Sequence, residues 1–185
     1  PAGHCVGPSV ARLFHTVEVP AVPTGHSDEP LDAGTLTAER IVPPLQAGDA
    51  APDFELTTLD GKTVRLADLR GKFVLLDFWA SWCSACRAMA PVLNALSDEF
   101  GAQGLRVVGL TDDTEEDALA AVRKQKIKYA VGATTSVDTI KDYFVSALPT
   151  FFLIDRKGVI RGVQLGETSR DAFEPMLKKL LAEAG

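Results

Sequence analysis

The chain has 185 residues, a length suited to one domain, or one domain with an appendage, and too short for two full ones. Apolar residues make up 46% and charged residues 24%, which excludes a wholly disordered chain, a collagen-like repeat and a small disulfide-stapled scaffold. Lys and Arg total 19 against 25 Asp and Glu, a formal charge of -6, so no nucleic-acid partner is expected.

In chain order, seven of the 11 prolines fall within the first 46 residues, where neither helical nor strand periodicity is found. Residues 1–46 are therefore read as a proline-rich extended arm or linker, and residues 47–185 as the folded domain. Phe54-Glu55-Leu56 and Thr63-Val64-Arg65-Leu66 flank Asp60-Gly61, a dipeptide suited to a hairpin turn. Phe73 to Ala80 is an apolar run interrupted only by Asp77, as in a strand buried on both faces. Ala85, Ala88, Met89, Val92, Leu93, Leu96 and Phe100 recur at helical spacing and predict a helix that ends at Gly101 and Gly104.

Leu105 to Leu110 predicts a second strand and Thr114 to Lys126 a helix. The acids Glu115, Glu116 and Asp117 at its start and the bases Arg123, Lys124 and Lys126 at its end complement the helix dipole, so the acidic cluster is read as capping and not as a calcium site. Val137, Ile140 and Phe144 suggest a short helix, and Thr150 to Ile154 and Val159 to Leu165 an antiparallel pair. A last helix carries Phe173, Met176, Leu177, Leu180 and Leu181 on one face. The fold class is α/β: a mixed central sheet flanked by helices, preceded by a β-hairpin. The apolar runs are far shorter than the roughly 20 residues that span a bilayer.

Three cysteines are too few for a disulfide framework, and Cys83-Ser84-Ala85-Cys86 sits where the buried strand meets the amphipathic helix. Unsatisfied N–H groups and the positive end of the helix dipole favour a thiolate at Cys83, which makes it the expected nucleophile. Cys86, one turn on, can close a disulfide with it and is expected to be less exposed. A zinc site lacks ligands, because no second cysteine pair exists and His4, His15 and His26 all lie in the arm. The alternative kept open is a copper- or zinc-handling module that combines the cysteine pair with His4, Cys5, His15 and His26. Asp77 in its apolar strand is costly unless protonated or partnered, so a raised pKa is expected; a strand-edge Asp facing water is the other reading. Trp82, beside the nucleophile, offers an apolar platform for a partner.

The segment Asp77-Phe78-Trp79-Ala80-Ser81-Trp82-Cys83-Ser84-Ala85-Cys86-Arg87 resembles the active-site segment of the thioredoxin superfamily. Pro91 matches the proline within that family's active-site helix, and Leu148-Pro149-Thr150 its cis-proline loop. The resemblance implies a thioredoxin-like fold and a protein-disulfide oxidoreductase without a cofactor or metal. It implies that Cys83 and Cys86 cycle, that Asp77 moves the resolving cysteine's proton, and that the loop of Leu148 and Pro149 binds substrate, Leu148 through its backbone; with Trp82 these are the expected substrate-binding residues. The lysine that accompanies the buried acid in typical thioredoxins would fall near Gly109.

Ala51-Pro52-Asp53-Phe54 and Gly71-Lys72 are similar to the TlpA/ResA-type subgroup. That similarity implies an extracytoplasmic protein, periplasmic or membrane-anchored, with any tether outside the given chain. It also implies partners: a disulfide-bearing protein substrate, and an upstream thiol reductant such as a membrane electron-transfer protein. Service in cytochrome c maturation is implied for some members, which often carry an acid where this chain has Met89. The front end is shared with peroxiredoxins, but Ala80 stands where their chemistry requires Thr or Ser.

Overall fold

The computed structural model describes residues 44–133 and 137–182, the side chains of Val137 and Asp138 excepted. The expectations for the arm, including His4, Cys5, His15 and His26, lie outside the described residues. The chain forms β1 (Glu55–Thr57) and β2 (Thr63–Arg65), then β3 (Phe73–Phe78) and α1 (Ser84–Phe100). It continues with β4 (Leu105–Thr111), α2 (Glu115–Gln125), β5 (Ala130–Ala133) and α3 (Val137–Asp142). Strands β6 (Thr150–Ile154) and β7 (Ile160–Leu165) and helix α4 (Arg170–Ala182) follow.

Five strands form one sheet in the order β5-β4-β3-β6-β7. β3, β4 and β5 run parallel, as strands joined by helical crossovers do, while β6 and β7 are antiparallel to their neighbours. β3 is central, and all of its residues are buried. Val74, Leu76 and Phe78 enter one core with Phe152, Ile154 and Tyr143. There the rings of Phe78, Tyr143 and Phe152 lie 5.0–5.8 Å apart between centroids. Phe73 and Leu75 enter the opposite core, which α1 fills with Met89, Leu93, Leu96 and Phe100 and α4 with Phe173 and Leu177.

The separate hairpin of β1 and β2 turns at Asp60-Gly61, where Gly61 has φ +81°, a conformation that glycine adopts without strain. Its tip reaches the outer edge of the sheet: the Leu59 N–H donates to the Val131 carbonyl at 2.9 Å, and Thr58 bridges to Gly132. At the opposite edge the Gly48 N–H donates to Ile160 O, the Ile160 N–H to Asp49 O and the Ala51 N–H to Gly158 O. Residues 48–59 thus strap both edges of the five-stranded sheet.

Four details differ from the sequence reading. β3 ends at Phe78, two residues early, although Trp79 and Ala80 stay buried and the Trp79 N–H still bonds Leu110 O at 3.0 Å. On α1, Ala88 is exposed and Ala90 takes its place inside. α3 ends at Asp142; Tyr143 turns into the core, its hydroxyl donating to Pro52 O at 2.7 Å, and Phe144 is exposed with φ +52°. The edge strand β5 is absent from the sequence reading, because Ala130-Val131-Gly132-Ala133 has one branched residue and owes its conformation to pairing with β4 and to the hairpin.

Candidate functional site

The site is built where β3 runs out and α1 begins. The Cys83 N–H donates to Ala80 O at 3.1 Å, closing a tight loop, and Cys83 caps α1 with its sulfur accepting the Cys86 N–H at 3.1 Å. A capping sulfur satisfies one orphan donor of the first turn and lies at the positive end of the helix. Cys83 and Cys86 form a disulfide, with Sγ atoms 2.17 Å apart and Cα atoms 5.3 Å apart. In this oxidised form they are 7% and 6% exposed, so the expected difference in exposure is not found.

The loop before Cys83 is held from the next strand. The Ser81 N–H donates to Asp113 Oδ2 at 2.6 Å, and the Thr111 hydroxyl donates to the same oxygen at 2.8 Å. Asp113 was not legible from sequence, where Asp112-Asp113 reads as ordinary loop before α2. The acids Glu115, Glu116 and Asp117 do fill the first turn of that helix, but its cap is Thr114, which the sequence reading placed inside it: the Thr114 hydroxyl oxygen accepts the Asp117 N–H. Arg87 Nη1 reaches the carbonyls of Ser81 and Trp82 at 3.4 Å each, which leaves a cation beside the cysteine loop.

Pro91 lies inside α1, where its ring removes the N–H that would bond the Arg87 carbonyl. The Leu148–Pro149 peptide bond is cis. Leu148 packs against the cluster that contains Cys83, Cys86 and Trp79, so the proline loop lies beside the cysteine pair although 62 residues separate Cys86 from Leu148 in the sequence. Among the described residues no hydrogen bond engages the backbone of Leu148. Trp82 is 71% exposed. Beside it a groove of about 250 Å³ is lined by Trp82, Phe78, Thr111, Ile140, Val145 and Leu148.

Asp77 pairs with Gly109 on β4 and with Phe151 on β6 and is 3% exposed, so it does not face water. Burial pushes its carboxyl up to about 7, against the opposing pull of the Tyr129 hydroxyl, which donates to Oδ2 at 3.1 Å. Among the described residues, buried Oδ1 has no hydrogen-bond partner, and neither has Trp79 Nε1. Tyr129 was not singled out from sequence. Nothing in Lys128-Tyr129-Ala130 indicates that its hydroxyl reaches a strand 52 residues earlier.

A disulfide at the N-terminus of an amphipathic helix, a cis-proline loop against it and a buried carboxyl in the preceding strand define a thioredoxin-like thiol–disulfide oxidoreductase. Comparisons agree with the geometry. Residues 47–163 match the AhpC/TSA family model, and the chain belongs to that family, within the TlpA/ResA-type branch of the thioredoxin superfamily. It is similar to the thiol-disulfide oxidoreductase ResA of Bacillus thuringiensis subsp. konkukian, at 32% identity over 170 residues, covering 91% of this chain and 96% of that protein. Among solved structures it is similar to a Chlorobium tepidum protein described as thiol:disulfide interchange protein DsbE, with TM-score 0.70 and 36% identity over 74% of this chain and 99% of that one. The exposed lipoprotein thioredoxin Etrx1 of Streptococcus pneumoniae gives TM-score 0.60 and 33% identity over 70% and 100%. These relatives favour dithiol redox chemistry over the metal-handling alternative. Disulfide-bearing substrates and a reductant follow from the class, and among the described residues no helix is long and apolar enough to cross a membrane.

Proposed function

We propose that residues 47–185 act as a reductase of protein disulfides outside the cytoplasm, with Cys83 as nucleophile and Cys86 as resolving thiol. The observation that carries this reading is the placement of the Cys83 sulfur at the N-terminus of α1, accepting the Cys86 N–H, with the cis Leu148–Pro149 loop packed beside it. In the reduced protein the same N–H and helix end favour the Cys83 thiolate.

That thiolate attacks one sulfur of a substrate disulfide, forming a mixed disulfide and releasing one substrate thiolate, which is protonated from water. Cys86 then loses its proton to the Asp77 carboxylate and attacks Cys83 Sγ. The bond between Cys83 and the substrate breaks, the second substrate thiolate leaves, and the Cys83–Cys86 disulfide forms. Two electrons pass from the dithiol to the substrate, and an upstream thiol reductant restores them.

Substrate docking is assigned to the unengaged Leu148 backbone, which can pair with an extended peptide next to Pro149, and to the exposed face of Trp82. The extracytoplasmic placement is supported by the pneumococcal neighbour, described as an exposed lipoprotein. Met89 is buried in the α1 core, so that position offers no acid to a cytochrome substrate, and the proposed substrate is protein disulfides in general. Ala80, fully buried, leaves the cysteine without the hydroxyl that peroxide chemistry would use.

Insulin-disulfide reduction tests the reading. Wild type is expected to exceed Cys83→Ser and Cys86→Ser by at least roughly 100-fold, as for loss of an essential nucleophile or its partner. Equal rates would overturn it. A reduction potential near about -270 mV or below supports a reductant, and one near about -120 mV would make the protein an oxidant.

A further inference from the structure

Gly109 stands opposite Asp77 in the β3–β4 ladder, and the space above it is already taken. A Cβ there would lie 3.0 Å from Trp79 Nε1 and 3.2 Å from both Tyr129 Cε2 and Val131 Cγ2. The missing side chain is what lets the Tyr129 ring cross β4 and bring its hydroxyl to Asp77 Oδ2. Tyr129 also packs against the cluster of Trp79, Cys83 and Cys86.

We propose that Tyr129 is a positioning residue for the resolving step: its hydroxyl binds Asp77 Oδ2 and fixes the carboxylate, so that the unpartnered Oδ1 is the atom that receives the proton of Cys86. This rests on the reading of Asp77 as the proton acceptor. The division of labour between the two oxygens follows from their partners, since one is engaged by a donor and the other, equally buried, has none. A donor to the ionised form stabilises that form, so the hydroxyl keeps a fully buried carboxyl within reach of ionisation near neutrality. Burial and the Asp77 charge hold the Tyr129 hydroxyl well above its ordinary range, so it stays protonated and remains a donor.

Among the described residues no basic side chain acts on Asp77: burial and the Tyr129 hydroxyl set its carboxyl. The residues around it and around Trp79 and Tyr129 include Gly109 and Phe151, which flank it in the sheet, Val131 from β5, Ala121 and Val122 from α2, and Cys83 and Cys86 at the start of α1. The cysteines are the other titratable pair among them. Lys128, the neighbour of Tyr129, is turned outward to Asp98 at 2.7 Å.

Tyr129→Phe deletes the hydroxyl and keeps the ring that packs. In the reduced protein, carboxyl-carbon NMR of Asp77 is expected to show its titration midpoint about one pH unit or more higher than in wild type, as for loss of a hydrogen bond to a charged group. Release of product from a preformed mixed disulfide is expected to slow roughly five- to tenfold at pH 7, with most of the loss recovered by pH 9. A merely structural role would lower the rate at every pH and leave the midpoint in place. An unmoved midpoint in a folded Tyr129→Phe protein overturns the proposal and leaves the dithiol cycle standing. If Asp77→Asn keeps the wild-type pH profile of release, Asp77 is not the acceptor, and both that reading and the proposal fall.

Discussion

The two faces of β3 are built to different rules within six residues. Val74, Leu76 and Phe78 point into a core that is apolar along its length and ends in the mutually packed rings of Phe78, Tyr143 and Phe152. On the other face Phe73 and Leu75 begin the same way, but Asp77 and then Trp79 follow, each with a buried polar atom that has no hydrogen-bond partner. A single strand therefore packs two apolar cores with Phe73 to Leu76 and Phe78, and the last of its odd residues is the acid to which the proposed cycle gives the proton. Among the described residues Asp77 Oδ1, an acceptor, and Trp79 Nε1, a donor, are both left without a partner at the strand end that meets the cysteine loop.

Substitutions can break that division. Phe152→Ala, on the apolar face, is expected to lose about 3–5 kcal/mol of stability, by the usual scale for a buried aromatic, with the pH profile of disulfide exchange unchanged in the folded protein. Urea melts and exchange kinetics at several pH values check it; a small loss with an altered profile would mean that the two faces are not separable.

Asp77→Asn probes the other face, and its sign is fixed by the direction of the shift. Because the folded-state carboxyl is raised from 3.8 to about 7, the folded protein holds the proton more tightly than the unfolded chain. Its contribution is fully favourable below about pH 4 and is lost as pH rises through about 7. The variant is expected to remove this pH dependence, a change of up to about 4 kcal/mol between pH 4 and pH 8, read by denaturant midpoints at each pH. Parallel curves for wild type and variant would show that Asp77 is not perturbed.

The smallest effect on folding is expected at Trp82. Being largely exposed, it can become Ala with a stability change within about 0.5 kcal/mol, while KM for a protein disulfide rises several-fold and kcat is retained. A fall in kcat without a change in KM would take Trp82 out of substrate docking.

The parts of the molecule legible in sequence are those governed by local pattern. The apolar run interrupted only by Asp77 identified the central strand, the spacing of Met89, Leu93, Leu96 and Phe100 the helix behind the cysteines, and Asp60-Gly61 the hairpin. Cys83 and Cys86 were visible because their spacing and their place at a strand–helix junction carry a mechanism. The cis bond before Pro149 came from resemblance alone, since an X-Pro sequence does not specify its isomer. Tyr129, Asp113 and strand β5 were not legible, and for one reason: each is defined by what it touches across the sheet. A tyrosine before a four-residue strand carries no mark that its hydroxyl ends on a buried carboxyl, and Asp113 differs from Asp112 only in the loop it holds.

The strapping of both sheet edges by residues 48–59 bears on how far the chain can be trimmed. A fragment starting at Lys72 would keep every residue assigned to the redox site, yet β5 and β7 would each present bare backbone donors and acceptors to other molecules. Such a fragment would be prone to stacking strand against strand with its own copies. In this protein the segment of residues 48–59 acts as an insulator at both sheet edges, away from the proposed docking surface of Trp82 and Leu148.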